Sequence, residues 1–256
     1  MDQRTLSKLL QRVAAGDTTV EQAVDDLRHL PYDALGDSLI DTHRELRTGQ
    51  AEAVYGPGKS PEQVRDAVAS LIAYPGGAIF VTRASKEQFE AARDAAPEAS
   101  WDERSRLVVA RRASSAADTG DADPGEVAVV SAGTSDLPVA DEAAQTADAL
   151  GIGVVRVTDV GVAGLHRLLD ARSDFSDADC VIVVAGMEGA LPSVVTGLVA
   201  APVVAVPTSV GYGAALEGVT ALLAMLTSCA PGVSVVNIDN GFGAAQVAHR
   251  IVRGSR

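Results

Sequence analysis

The C-terminal half of this 256-residue chain predicts an α/β fold with a doubly wound, flavodoxin-like parallel sheet. Three observations carry that expectation. Apolar runs of strand length recur at Val127–Ser131, Gly153–Val157, Cys180–Ala185, Val203–Val206 and Val233–Ile238. Helix-length stretches separate them, among them Leu191–Ala200 and Ala214–Ser228, and parallel neighbours need such crossovers. The last three runs end in small or polar residues, GMEGA, PTSVGYGA and DNGFGA. Valine and alanine on consecutive positions suit strands covered on both faces. In such sheets ligands bind beyond the carboxyl ends of the strands, so the chemistry is expected where the glycines and polar residues collect.

A small α/β domain over residues 1–112 is expected to precede that unit. Residues 2–14 and 19–28 read as helices, with Asp17 and Thr18 as caps between them. Ser38–Arg47 reads as a strand, because Asp41, His43, Glu45 and Arg47 alternate with Ile40, Thr42, Arg44 and Leu46; Gly49 ends it. EAVYGPGKS is a turn carrying Lys59. Ser60-Pro61-Glu62-Gln63 starts a helix, with proline first and Gln63 closing a capping box, that runs to about Ile72. Gly76-Gly77 leads into a strand at Ala78–Thr82, Ser85 and Gln88 repeat the capping box, and Arg106–Arg112 is a third strand. Ala113–Pro124, ASSAADTGDADP, is small, acidic and without period: a linker. The second domain spans residues 125–256.

Composition bounds the partners. The chain is 47% hydrophobic, enough for a substantial core. Its net charge is -13 and Lys8, Lys59 and Lys86 are its lysines, which argues against nucleic acid, whose phosphates need a basic surface. The second domain has six arginines, no lysine and thirteen acids. A nucleotide there depends on backbone amides and placed arginines, not bulk charge. Cys180 and Cys229 form neither a disulfide framework nor a metal motif. The N-terminus is a polar amphipathic helix without signal-peptide character, and the longest apolar stretch, near Val194–Val206, is broken by Pro202. No membrane partner and a cytoplasmic location are expected.

The candidate site residues follow the strands. In AGTSDLPVADEAA, helix N–H groups, Gly133 and the hydroxyls of Thr134 and Ser135 suggest a phosphate cradle, with Asp136 in the first turn; the simpler reading is a plain N-cap. It is not a GxGxxG fingerprint. DVGVAGLHRLL supplies His166, able to pass a proton, and Arg167, able to hold a carboxylate or phosphate, although a lone histidine more often caps or packs. Gly186-Met187-Glu188-Gly189 sets a carboxylate between glycines at the end of the central strand: a base, a cation partner or a metal ligand. PTSVGYGA offers Thr208, Ser209, Gly211 and Gly213, with Tyr212 as a stacking ring. Cys229 is expected at the end of the helix Ala214–Ser228, whose negative dipole end disfavours a thiolate. It needs a positive partner, and a cationic substrate serves. Cys180 reads as a buried apolar residue.

From about Glu126 to Ala245 the strings AGTSDLPVADEAA, DVGVAGLHRLL, AGMEGALPSVVTGLV, PVVAVPTSVGYGA and ALLAMLTSCAPGVSVVNIDNGFGAA resemble the aminoimidazole ribonucleotide (AIR) carboxylase fold. They are closer still to the LarB family of nickel-pincer cofactor biosynthesis, whose core looks like that carboxylase. HRELRTGQAEAVYGPGKSPEQV (His43–Val64) is similar to that family's leading region, which purine-type carboxylases lack. The resemblance implies a synthase of pyridinium-3,5-biscarboxylic acid mononucleotide. Such an enzyme carboxylates nicotinic acid adenine dinucleotide at C5 of the pyridinium ring with CO2 or bicarbonate, and hydrolyses the phosphoanhydride to release AMP. It also implies that Cys229, in MLTSC, adds to the ring, turning an electron-poor pyridinium into a nucleophilic enamine.

On that resemblance Glu188, Asp136 and His166 are the proton-transfer candidates, Gly133, Thr134 and Ser135 hold phosphate, and Arg167 orients CO2 or a carboxylate. Gly186, Met187, Gly189, Ser209, Gly211, Tyr212 and Gly213 complete the expected substrate-binding set. Mg2+ is a candidate cofactor for the hydrolysis, with Asp136, Glu188 or Asp239 as donors but no evident ligand cluster; Arg44, Arg47 and Lys59 are the alternative cations. No organic cofactor is expected, since the dinucleotide is substrate. The carboxylase fold implies a homo-octamer. The competing readings are a purine-pathway carboxyaminoimidazole ribonucleotide mutase, which needs no cysteine, and a nucleotide-binding module without catalysis.

Overall fold

The computed structural model describes residues 3–27, 32–36, 38–74, 76–113 and 124–254. The chain divides into two compact units, Met1–Ser114 and Ser115–Arg256. Residues 114–123 of the expected linker lie outside the described residues.

The first unit opens with helices α1 (Gln3–Ala15) and α2 (Val20–Leu27). The cap between them is Thr19, not Asp17 or Thr18. Thr19 Oγ1 accepts from Gln22 N–H at 3.2 Å while Gln22 Oε1 accepts from Thr19 N–H at 3.0 Å, and Thr18 is buried. Strands β1 (Asp33–Leu35) and β2 (Ser38–Ile40) form an antiparallel pair. The strand expected to reach Arg47 therefore stops at Ile40. Asp41 Oδ1 accepts from His43 N–H at 3.1 Å, a local turn that competes with strand pairing. Helix α3 (Arg44–Thr48) follows, ended by Gly49 in the left-handed region at φ 74°.

Strand β3 (Ala53–Tyr55) begins inside the stretch expected to be all turn. Helix α4 (Pro61–Ile72), strand β4 (Ile79–Thr82), helix α5 (Lys86–Ala95) and strands β5 (Ser100–Asp102) and β6 (Leu107–Arg111) complete the unit. Both expected capping boxes form, at Ser60/Gln63 and Ser85/Gln88. The sheet order is β3-β4-β6-β5, parallel between β3 and β4 and antiparallel elsewhere.

The second unit alternates strands β7 (Glu126–Ser131), β8 (Gly153–Val157), β9 (Cys180–Ala185), β10 (Val203–Pro207) and β11 (Val233–Val235) with helices. The helices are α6 (Leu137–Ala149), α7 (Leu165–Asp170), α8 (Leu191–Thr196), α9 (Val219–Leu226) and α10 (Gly241–Gly254). All strand pairs are parallel, in the order β11-β10-β9-β7-β8, which is the flavodoxin-like order. Val127, Val129, Ile182, Val184, Val204 and Val206 pack against alanines of α6 and α10, such as Ala143 and Ala244. Val130, Val181 and Val183 pack on the other face with Leu168, Leu191 and Met225. Each such valine contributes about 1.5–3 kcal/mol by leaving water.

Three elements are shorter than expected. Helix α8 stops at Thr196, and β11 stops at Val235. The stretch before α9 is a tight turn over Gly213–Gly218, kinked where Leu216 and Glu217 take φ of 48° and 52°. The kink brings the chain down on β10: a Cβ on Gly218 would lie 2.7 Å from the Thr208 carbonyl oxygen. No helix among the described residues is long and apolar enough to cross a membrane.

Candidate active site

The chain leaves β7 toward β8 on one side and leaves β9 toward β10 on the other. The strand order therefore switches between β7 and β9, and the loops at their carboxyl ends border a crevice.

The loop after β7 turns through Gly133 into a tight helical turn, Thr134–Asp136, that continues as α6. Thr134 and Ser135 are exposed, while Asp136 is 3% exposed. Asp136 sits in the first turn, as expected, but buried. Its Oδ2 accepts from Gly133 N–H at 2.9 Å and its Oδ1 from the Thr208 hydroxyl at 2.7 Å. The Gly133 amide, expected to face a phosphate, is thus turned onto a carboxylate. Burial pushes the Asp136 carboxyl above its usual range, and nearby Asp239 pushes the same way. The Thr208 hydroxyl and the N–H groups of Gly133 and Gly186 hold it down.

The loop after β8 is fastened to that turn. Val160 N–H donates to Ser131 O at 3.1 Å and Gly161 N–H to Ala132 O at 2.8 Å. It leads into α7, whose first turn carries exposed His166 and half-buried Arg167. Arg167 Nη1 donates to Asp159 Oδ2 at 2.6 Å. The loop after β9 is pressed between its neighbours: Cβ atoms on Gly186 and Gly189 would lie 2.3 Å from Val210 O and 2.8 Å from Ala221 O. Met187 takes a positive φ of 52°, unusual outside glycine. Glu188 projects from this turn, exposed and with no hydrogen-bond or ion-pair partner among the described residues. After β10, Thr208 is buried and Ser209 N–H donates to Asp239 Oδ1 at 2.8 Å. Tyr212 stands 81% exposed between Gly211 and Gly213.

Cys229 lies past the far end of α9, not at the start of that helix. A helix linking parallel strands runs from their carboxyl to their amino ends, and α9 does so. Its start meets Gly189 through Ala221. Beyond its far end, roughly 12 Å on at 1.5 Å per residue, lie Ser228, tied to Ser193 Oγ at 2.7 Å, and Gly232, whose carbonyl accepts from Val203 N–H at the first residue of β10. Cys229 sits on this return limb, three residues past Leu226, exposed. The helix-end placement expected from Ala214–Ser228 is corrected accordingly. Cys180 is the opposite case: burial, with Asp179 adding to it, pushes its thiol up to about 12.

The described residues do not form a protein-built Mg2+ cage. Both Asp136 oxygens and Oδ1 of Asp239 already accept hydrogen bonds. Among the described residues no group of three or more His, Cys, Asp or Glu side chains is placed to hold a metal. In the first unit Arg47 is engaged by Asp41.

Sequence reasoning missed the Asp136–Thr208 pairing, which spans 72 positions and leaves no periodic trace. It also missed the Ser131 hydroxyl, fully buried at the end of β7 without a hydrogen-bond partner among the described residues.

Residues 32–112 match the family model of the LarB/PurE-like N-terminal domain, and residues 126–256 match that of AIR carboxylase. An uncharacterised protein of Methanocaldococcus jannaschii is 37% identical over 259 residues, covering 98% of either chain. The fold, the two matched domains in this order and the full-length relative agree: the chain belongs to the AIR carboxylase family, in the LarB-type form that carries a LarB/PurE-like N-terminal domain.

Proposed function

We propose that this carboxylase-type chain adds CO2 to C5 of the pyridinium ring of nicotinic acid adenine dinucleotide and cleaves its phosphoanhydride, releasing AMP and pyridinium-3,5-biscarboxylic acid mononucleotide. The observation that carries the reading is Cys229: an exposed thiol without a partner among the described residues, in a chain of LarB type. Carboxylating an electron-rich imidazole needs no such group; carboxylating a pyridinium does.

The chemistry follows from the ring. The Cys229 thiolate forms a C–S bond to a ring carbon, and the displaced π pair moves through the ring to neutralise its nitrogen. The resulting enamine carbon, C5, forms a C–C bond to CO2. Glu188 takes the C5 proton, and the electrons of that C–H bond restore the ring as the C–S bond breaks and the thiolate leaves. Glu188 suits the base because it is exposed and unpaired among the described residues, whereas both oxygens of Asp136 are bonded. Tyr212 offers a face for the ring, Thr134 and Ser135 offer hydroxyls to a phosphate, and Arg167 stands by for a carboxylate. His166, on the adjoining helix, is the second proton carrier.

The proposal includes a homo-oligomer in which the thiol of one copy meets the rim of another. Leu216, Val219, Leu223 and Leu226 expose an apolar stretch leading up to that thiol, a surface suited to burial between copies. The octamer implied by the resemblance is compatible with that arrangement.

The test is product formation. Purified protein with the dinucleotide and bicarbonate is expected to release AMP and a doubly carboxylated mononucleotide. Interconversion of carboxyaminoimidazole ribonucleotides instead, with activity surviving Cys229→Ala, would refute the reading.

A further inference from the structure

Asp136 ties two strand ends together by hydrogen bonds, and a third strand end packs against the pair. Its Oδ1 accepts from Thr208, after β10, at 2.7 Å, and its Oδ2 from Gly133 N–H, after β7, at 2.9 Å. Gly186, after β9, is packed against the Thr208 hydroxyl. Asp136 is 3% and Thr208 0% exposed, so water does not compete for these bonds. Hydrogen bonds to an ionised acceptor are also stronger than neutral ones. The packing leaves no slack, since a Cβ on Gly186 would sit 2.7 Å from Thr208 Oγ1. The next seam is bridged by a second carboxylate, here through an exposed hydrogen bond: Asp239 Oδ1 accepts from Ser209 N–H at 2.8 Å, and Asp239 N–H donates to Pro207 O at 2.9 Å. Two carboxylates thus join the ends of β7, β10 and β11, with β9 lying between β7 and β10 in the sheet.

We propose that Asp136 is a positioning residue, not a proton carrier: its carboxylate clamps the Gly133 and Thr208 loops together against Gly186 and so sets Glu188, two residues beyond Gly186, against the substrate. The catalytic part of this inference rests on the proposed function; the clamp itself does not. A proton carrier needs an oxygen open to the substrate, and Asp136 offers neither. A clamp needs donors from separate elements, shielded from water, and Asp136 has them.

The test separates the two roles through Thr208, whose buried hydroxyl is spent on Asp136 and is no proton carrier for the ring. Thr208→Val removes the hydroxyl and leaves the carboxylate. Positioning predicts that Thr208→Val and Asp136→Asn each lower kcat by about 10–100-fold, the range expected for a misplacement of about 1 Å. KM for the dinucleotide is expected to move by less than about threefold, and Thr208→Ser to recover most of the rate, because the phosphate hydroxyls and the Thr208 donor are then kept. The double variant should be no worse than the poorer single one, as expected of partners in one network. Wild-type rates in Thr208→Val with total loss in Asp136→Asn would overturn the proposal.

A second arm needs no substrate. Hydrogen exchange, followed by mass spectrometry on peptides covering residues 132–137 and 185–190, should accelerate about tenfold in Asp136→Asn, beyond any acceleration of core-strand peptides in the same variant. Unaltered exchange would overturn the clamp even if the dinucleotide proved not to be the substrate. Absence of turnover in the wild type would instead count against the substrate assignment, leaving the exchange result to decide the clamp.

Discussion

The two units of this chain are held in order by different means. In the first, helices begin on reciprocal side-chain caps three residues apart, at Thr19/Gln22, Ser60/Gln63 and Ser85/Gln88. Gln88 also donates to the carbonyls of Gly56 and Lys59, fixing the turn before α4. In the second, α6, α7, α8 and α9 begin without a side-chain cap. The loops before α6 and α9 are fastened across the sheet instead, by Asp136 to Thr208 and by Asp239 to Ser209. Local caps stabilise a helix wherever it lies. Cross-sheet bonds fix the strand ends relative to one another, which is what a site built from several loops requires.

The contrast can be broken at its strongest point first. Glu188→Gln keeps the shape of the turn but removes the base, and should lower carboxylation about 10²–10⁴-fold while leaving the dinucleotide dissociation constant nearly unchanged. Mixed oligomers sharpen the result. If Cys229 serves the rim of another copy, co-assembling Glu188→Gln with Cys229→Ala restores measurable activity that neither variant shows alone; silent mixed oligomers place thiol and base in one chain.

The next effect lies in the core of the second unit. His249 on α10 is buried, and desolvation, with Arg253 and Arg250 nearby, lowers its pKa from 6.5 to about 4. The folded state resists protonation that the unfolded chain accepts. Stability is therefore full above pH 6.5 and is lost as the pH falls through about 4, by on the order of 3 kcal/mol. Denaturant unfolding at pH 7 and pH 4 measures it, and His249→Phe should flatten that part of the profile. The smallest effect belongs to the caps. Ser60→Ala should cost about 1 kcal/mol of the first unit's stability, read as a lower unfolding midpoint.

The sequence discloses what is local or periodic. The five apolar runs of the second unit and the boxes at Ser60 and Ser85 are visible because a buried parallel strand and a capped helix each have a short signature. Ser38–Arg47 misleads because polar and apolar residues alternate there by chance, while Asp41 turns the chain with a hydrogen bond to His43. Strand β5 is too short to show a period, and its Trp101 is held by stacking on Phe89 at 5.6 Å. For the site, the glycines, Glu188 and Tyr212 are legible as strand-end residues. The pairing of Asp136 with Thr208 is not, because it joins residues far apart in the chain. The place of Cys229 beyond α9 follows from the topology, since a crossover helix carries the chain from the carboxyl ends of the strands back toward their amino ends.

The most direct measurement is mass spectrometry of the products formed from nicotinic acid adenine dinucleotide and 13C-bicarbonate by the wild type and by Cys229→Ala. The account predicts AMP and a doubly carboxylated pyridinium mononucleotide bearing one 13C from the wild type, and at least a roughly 10³-fold loss of that labelled product in the variant. Labelled product formed equally well without the thiol, or folded wild-type protein that yields neither product, would contradict it.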